Sequence, residues 1–354
     1  MCRRAGRGAV SSEVPPRVRR VAGSSVAATA NPCRYYDEGN GIPLTPHDYR
    51  SRFTEWDRRS WVRAKPHRDS PFTAGAHYFS PELCPLSACP PVRAAPRHVR
   101  EAVLVHSLYL HLEFTVQLEM GPVNEICALL RSPRFLPWLP AGMKDDVLRI
   151  YTDEAGHAEM SNTLKNAVAA ETGVVPVEHR PRFLGALAAL YSAELPAYRP
   201  LVKLFFAIVS ETLITGTLTR LPKDPSVQAA VRELAQDHAA DEGRHHAFFR
   251  ALFELLWPRM PVPLRRKVGV LLPRVIHAFL WPDEPALVRV LATMPEHFAD
   301  PAAVVAGLAA SPACRDAVLR NAAPTLRMFR DNGVFDDPVL AAAFADAGLP
   351  GRTG

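Results

Sequence analysis

The 354-residue chain has no C-x-x-C pair, and its six cysteines (Cys2, Cys33, Cys84, Cys89, Cys127 and Cys314) follow no regular spacing. This argues against a disulfide framework or a zinc finger and suits a reducing compartment. No apolar run reaches the roughly 18 to 20 uncharged residues of a membrane span. The N-terminus has no apolar stretch of the kind a secretory signal carries. Strand-like alternation is almost missing as well. Nor is charge of one sign spread in excess: the net charge is +6, but Arg3, Arg4, Arg7, Arg17, Arg19, Arg20 and Arg34 face only Glu13 in the first 34 residues. The remainder is close to neutral, which speaks against a nucleic-acid-binding face. The expectation is a soluble cytoplasmic protein, with residues 1–34 as a solvated basic tail rather than a transit peptide.

What the chain does have is helical pattern. Residues 35–97 are rich in Pro, Arg, Asp and aromatics without sustained periodicity, and read as a wrapping segment with a short helix near Tyr49 to Trp61. From about Pro96 a first long helix runs to about Leu130, ended by Pro133, Pro137 and Pro140. A second spans about Gly142 to Ala170, and a short one about Arg182 to Glu194. A third spans about Leu201 to Arg220 and a fourth about Val227 to Leu256. Further helices are expected at about 301–310, 311–331 and 337–347. Two tight turns and one long connection, between the second and third helices, match ferritin-like connectivity. The predicted fold is therefore all-α. Residues 98–258 form a ferritin-like four-helix bundle, and residues 259–354 pack on it as C-terminal helices of the same domain.

One motif occurs twice. Asp153-Glu154-Ala155-Gly156-His157 recurs 88 residues later as Asp241-Glu242-Gly243-Arg244-His245. Side chains three or four positions apart share a helix face, so each copy aims a carboxylate and an imidazole at one point. His238, four residues before Glu242, adds a second imidazole to the second copy. A single E-x-x-H is more often a solvated face or an ion pair. Two of them, with one more Glu from each of two other helices, make the pattern of a carboxylate-bridged di-metal site.

Residues equally far from a hairpin turn lie at one height. With the first turn near residue 136, Glu154 lies 18 residues after it and Glu119 lies 17 before. Glu113 and Glu125 would each miss that level by roughly 9 Å. The second turn, near 224, pairs Glu211 with His238, and Glu242 follows one turn later. Glu211 is the only charge between Leu204 and Leu218, on a helix apolar all round and therefore buried. An unpaired carboxylate there costs several kcal/mol, so it should be neutral, paired or bound to metal.

Charge favours metal. Glu119, Glu154, Glu211 and Glu242 bring four negative charges, which two divalent ions neutralise, while His157, His238 and His245 bind as neutral imidazoles. Mixed N/O ligation suits iron and also admits manganese. Asp153 and Asp241 are placed to accept the free imidazole N–H groups, on their own helix or across to the facing one. The bland alternatives are a buried ion pair for Glu119 and a backbone-bonded core histidine for His238. His111, His246 and Glu159 read as flanking or surface residues. Tyr151, one turn before Glu154, reads as core packing before it reads as a radical site.

Glu119, Glu154-x-x-His157, Glu211 and His238-x-x-x-Glu242-x-x-His245 resemble the ligand set of the p-aminobenzoate N-oxygenase family of di-iron proteins. The resemblance runs over roughly residues 98–258, and Asp241-Glu242-Gly243-Arg244-His245-His246-Ala247-Phe248-Phe249 is especially similar. It implies that Glu119, Glu154 and His157 serve one iron, and Glu211, His238, Glu242 and His245 the other, with Glu154 and Glu242 bridging. It further implies O₂ activation and oxygenation of an arylamine, through hydroxylamine and nitroso stages towards a nitro group, in secondary metabolism. An external electron donor (a reductase or ferredoxin) and a homodimer are implied as partners. No Arg or Lys stands between Leu108 and Leu118, so that face offers no anchor for a substrate carboxylate. A larger or neutral arylamine, free or carrier-bound, is equally open. A di-iron hydroxylase or desaturase acting on carbon shares every ligand, and a metal-storage bundle is the reading from another class.

Overall fold

The computed structural model describes residues 49–349 other than His67, Asp69 and Ile214. The tail assigned to residues 1–34 and the first part of the wrapping segment, residues 35–48, lie outside the described residues. Among the described residues there is no strand, only an isolated bridge between His77 and Val227, and the protein is all-α.

Four long helices form the centre: α1 (Arg97–Leu118), α2 (Ala141–Thr172), α3 (Arg199–Leu213) and α4 (Ala229–Leu256). Proline sets two starts, because Pro96 and Pro140 stand immediately before α1 and α2, where no N–H is needed. Gly173 ends α2 in the left-handed conformation (φ 68°), its N–H bonding the Ala169 carbonyl. Neighbouring contacts run α1 to α2, α3 to α4 and α2 to α4. Helices at Val262–Gly269, Leu272–Leu280, Glu284–Ala292, Pro301–Ala310, Pro312–Asp331 and Pro338–Asp346 complete the shell. The last three fall where the sequence pattern puts them.

The first helix departs from its expected single run to Leu130. A π turn occupies Glu119–Val123, and an α-helix resumes only over Asn124–Arg131. Pro122 has no N–H to return to the Leu118 carbonyl, and Gly121 takes a non-helical φ of −96° and ψ of −105°. A π turn of this kind widens the helix by a residue.

The stretch Pro196–Lys223 is long and apolar enough to cross a membrane by composition, yet 81% of its apolar window is buried inside the protein. Its apolarity serves the core: every described residue from Leu204 to Leu213 is buried, Glu211 among them.

The core consists of two apolar clusters placed end to end along the helices. One holds Leu118, Val123, Ile150, Leu213 and Phe248. The other holds Leu112, Leu164, Leu218 and Ala235. The buried carboxylates and imidazoles lie at the changeover.

Residues 49–66 form a strap across α2 and α4. They carry two four-residue helices, Trp56–Arg59 and Trp61–Ala64, in place of the single short helix expected near Tyr49 to Trp61. Phe53 is 2% exposed, and burying such a side chain contributes about 1.5–3 kcal/mol to holding the strap down. The Tyr49 hydroxyl and Ser51 Oγ donate to Asp146 of α2, at 2.7 and 2.8 Å. Val62 lies directly over Gly156, where a Cβ would come within 2.5 Å of both Val62 methyls.

Candidate metal centre

All seven residues singled out by spacing come together. Ligand atoms of Glu119, Glu154, His157, His238 and Glu242 lie within 4.8 Å of one another, as do those of Glu154, Glu211, Glu242 and His245. Glu154 and Glu242 belong to both groups. Each of the seven is buried, at 2% exposure or less. The π turn begins at Glu119, so this carboxylate is presented by the irregular turn itself.

His238 sits in the group of Glu119 and His157, not in that of Glu211 and His245 as the family resemblance implies. Its ring centroid is 4.1 Å from that of His157, and its Nε2 is 3.0 Å from Glu119 Oε1. The reason is helical rise. His238 and His245 are seven residues apart, roughly 10 Å along α4. They therefore flank Glu242 from opposite ends and fall in different groups.

The two imidazoles of the repeated motif are oriented alike. Nδ1 of His245 faces Glu154 at 3.0 Å and Glu242 at 3.1 Å. Nδ1 of His157 faces Glu154 at 3.3 Å and Glu242 at 3.5 Å. The far nitrogens cross over to the opposite helix. His157 Nε2 meets Asp241 at 3.2 Å, and His245 Nε2 meets Asp153 at 3.3 Å. Of the two arrangements the sequence leaves open, the protein uses the reciprocal cross-helix one.

The strap holds both aspartates, a feature that the spacing of the ligands does not signal. Asp153 accepts from the Trp56 indole N–H at 2.9 Å and from Ser60 Oγ at 2.6 Å. Asp241 accepts the Trp61 backbone N–H at 3.1 Å and an ion pair from Arg244. Phe53 stacks on the His245 ring, centroids 5.9 Å apart.

Electrostatically the cluster is unfinished as protein alone. Both carboxylate oxygens of Glu119 and of Glu211, Oε1 of Glu154, Oε2 of Glu242 and Nε2 of His238 are buried without a directed hydrogen bond. His238 and Glu119 approach within 3.0 Å, but without hydrogen-bond geometry. Burial, and then the charges of Glu242 and Glu154, push Glu211 well above the carboxylate range. Burial raises Glu119 to about 7. For His157 and His245 burial favours the neutral ring, but the surrounding carboxylates outweigh it and hold both well above the usual imidazole value. Orphaned carboxylate oxygens gathered around unpaired charge fit cations well, since each stranded group otherwise costs several kcal/mol. The donor set of four carboxylates and three imidazoles could hold two metal ions in mixed N/O coordination.

A cavity of about 290 Å³ reaches this cluster at His238. Its walls are aromatic, with Phe79, Phe114, Phe183, Phe279 and Trp281 contributing. Ser107, Thr115, Ser210, Thr217, Asn321 and Asp283 also line it, with the imidazoles of His111 and His179. His111 is therefore a cavity residue beside His238, not merely a flanking one, and burial pushes it down to about 4. Glu159 is exposed as expected. Tyr151 is 43% exposed, which removes it from the core and from the cluster. The α1 face of the cavity carries no Arg or Lys. Arg182, exposed on the helix Arg182–Ala193, is the one guanidinium in the lining among the described residues.

A family model described as P-aminobenzoate N-oxygenase AurF matches residues 50–333. No curated protein matches the chain.

Proposed function

Because the chain belongs to the p-aminobenzoate N-oxygenase AurF family, we propose that it is an O₂-dependent di-iron oxygenase that N-oxygenates an aromatic amine. The observation that carries this is the pair of overlapping groups of orphaned buried carboxylates, opening at His238 onto an aromatic cavity. In this reading the helices form a ferritin-like bundle. Glu119, His157 and His238 would hold one ion and Glu211 and His245 the other, with Glu154 and Glu242, which belong to both groups, available to either. Two iron ions there supply O₂ activation and redox chemistry, and manganese is the alternative that the same donors admit.

The chain's own residues supply the rest. Asp241 and Asp153 hold the Nε2 protons of His157 and His245, leaving each Nδ1 lone pair turned inward. Phe53 and the strap exclude water from one side of the centre. The ring of an arylamine lies between Phe79, Phe114, Phe183 and Phe279, with its nitrogen towards His238. A cavity without a buried cation favours a substrate whose ring end is neutral.

The test is to load the purified chain with Fe(II) anaerobically, count iron, admit O₂ and supply a panel of arylamines. Two irons per chain and nitroso or nitro products, identified by mass, support the reading. A chain that binds fewer irons refutes the centre, and ring-hydroxylated products without N-oxygenation refute the reaction.

A further inference from the structure

Trp56 is half-buried in the strap, and its indole N–H reaches both oxygens of Asp153, at 2.9 and 3.0 Å. Asp153 in turn meets Nε2 of His245 at 3.3 Å, and Nδ1 of that ring faces Glu154 and Glu242. A chain of hydrogen-bond contacts thus links a ring at the surface to the middle of the cluster. The strap around that ring is strongly basic. Arg50, Arg52, Arg58, Arg59, Arg63 and Lys65 are all exposed and are opposed within the strap only by Glu55 and Asp57. The Arg63 guanidinium lies 6.0 Å from the Trp56 ring centroid. Arg59–Glu55 and Arg63–Asp57 are exposed pairs, which contribute little. Arg50, Arg52, Arg58 and Lys65 have no ion pair among the described residues.

We propose, resting on the di-iron reading above, that this strap is the docking surface of an acidic one-electron carrier protein, and that Trp56, Asp153 and His245 form the route by which its electrons reach the centre. Charge complementarity is what such short-lived encounters use, because their interfaces are small and long-range steering sets the association rate. The same patch could be a solvated face, but a solvated face needs no aromatic ring hydrogen-bonded to the partner of a buried imidazole. Each encounter oxidises one carrier by one electron and takes one ferric ion to ferrous. Two encounters complete the reduction, and no bond in the chain forms or breaks.

Docking is tested on the metal-free full-length chain, titrated with an acidic [2Fe–2S] ferredoxin and, as control, with basic cytochrome c. Binding of the ferredoxin alone is expected, weakening as salt rises, and weakening about tenfold or more in Arg58→Glu/Arg59→Glu. Equal affinity of wild type and variant overturns the surface. The route is tested on the iron-loaded chain by stopped-flow reduction, normalised to bound iron. Trp56→Phe keeps a ring in place but removes the N–H from Asp153, and should slow reduction by ferredoxin about tenfold more than reduction by dithionite. Equal slowing with both reductants, or no slowing, overturns the route. A wild-type chain that takes up no iron is a different failure: it sinks the di-iron reading, and the route with it.

Discussion

Replacing Gly156 by Ala is the most informative single change, because two effects of opposite sign compete. In a helix interior Ala is favoured over Gly by about 0.5–1 kcal/mol, so α2 on its own gains stability. Against this, the new Cβ would lie 2.5 Å from both Val62 methyls and 3.0 Å from its Cβ. Val is stiff at χ1, so the strap backbone must yield, and overpacking of this kind costs about 1–3 kcal/mol. Overpacking outweighs the helical gain, and the strap moves away from α2. Trp56 and Ser60 then lose Asp153, and Asp153 no longer fixes His245. Loss of a partner behind a metal-ligating histidine weakens affinity about 10- to 100-fold. The expected result for Gly156→Ala is a lower melting temperature and iron affinity reduced on that scale, measured by chelator competition. Val62→Ala added to it removes both methyls and leaves only the 3.0 Å approach of the two Cβ atoms, so the double variant should recover most of the lost stability and iron affinity. A single variant that is more stable than wild type with unchanged iron affinity would refute the strap's role.

Glu211→Leu removes a buried carboxyl with no hydrogen-bond partner, so the metal-free protein should gain about 1–3 kcal/mol of stability in thermal melting. Iron stoichiometry should fall below two in the same variant, and unchanged stoichiometry would remove Glu211 from the centre. Glu119 is raised from the ordinary 4.5 to about 7, and His238 from 6.5 to about 9. Folded-state values above the unfolded ones mean the folded protein holds the extra protons. Metal-free stability from Glu119 is full below about 4.5 and gone above about 7, and that from His238 is lost between about 6.5 and 9. His111, lowered from 6.5 to about 4, acts the other way below about 6.5, so the melting temperature of the metal-free chain should fall from about pH 6.5 to pH 9. The loaded chain should not show this decline, because metal binding releases those protons. Equal slopes with and without metal would count against the centre. Leu110→Trp, in the cavity lining, should weaken arylamine binding tenfold or more while leaving iron stoichiometry at two. Unchanged binding would place the substrate elsewhere.

The sequence carries the centre well because helical rise is regular. Two D-E-x-x-H faces and heights counted from the first turn are enough to bring Glu119 beside Glu154, and apolar surroundings mark Glu211 as buried. The same regularity, applied to His238 and His245, separates them, whereas the family resemblance groups them. The π turn is foreshadowed only by Gly121-Pro122, which reads equally as a kink. The strap is illegible for a different reason. Its bonds to Asp153 and Asp241 span 93 to 180 residues of sequence, and a segment without periodicity shows no face to be matched. Gly156 is the one trace of it inside the motif. The cavity is likewise a product of packing between remote helices, so sequence alone does not tell His111 from a surface residue or show that Tyr151 faces outward.

The layered core has a consequence for cooperativity. The two apolar clusters each cohere by burial, but the level between them is a layer of carboxylates and imidazoles in which several buried atoms, without ions, have no hydrogen-bond partner. Heat would then loosen the metal-free molecule at its waist, with each end melting on its own schedule and calorimetry showing more than one transition. Ions at the waist weld the ends into one cooperative unit. Removing ions from a loaded chain should therefore open the middle of the long helices to proteases before either end unfolds, with the first cleavages mapping to that level.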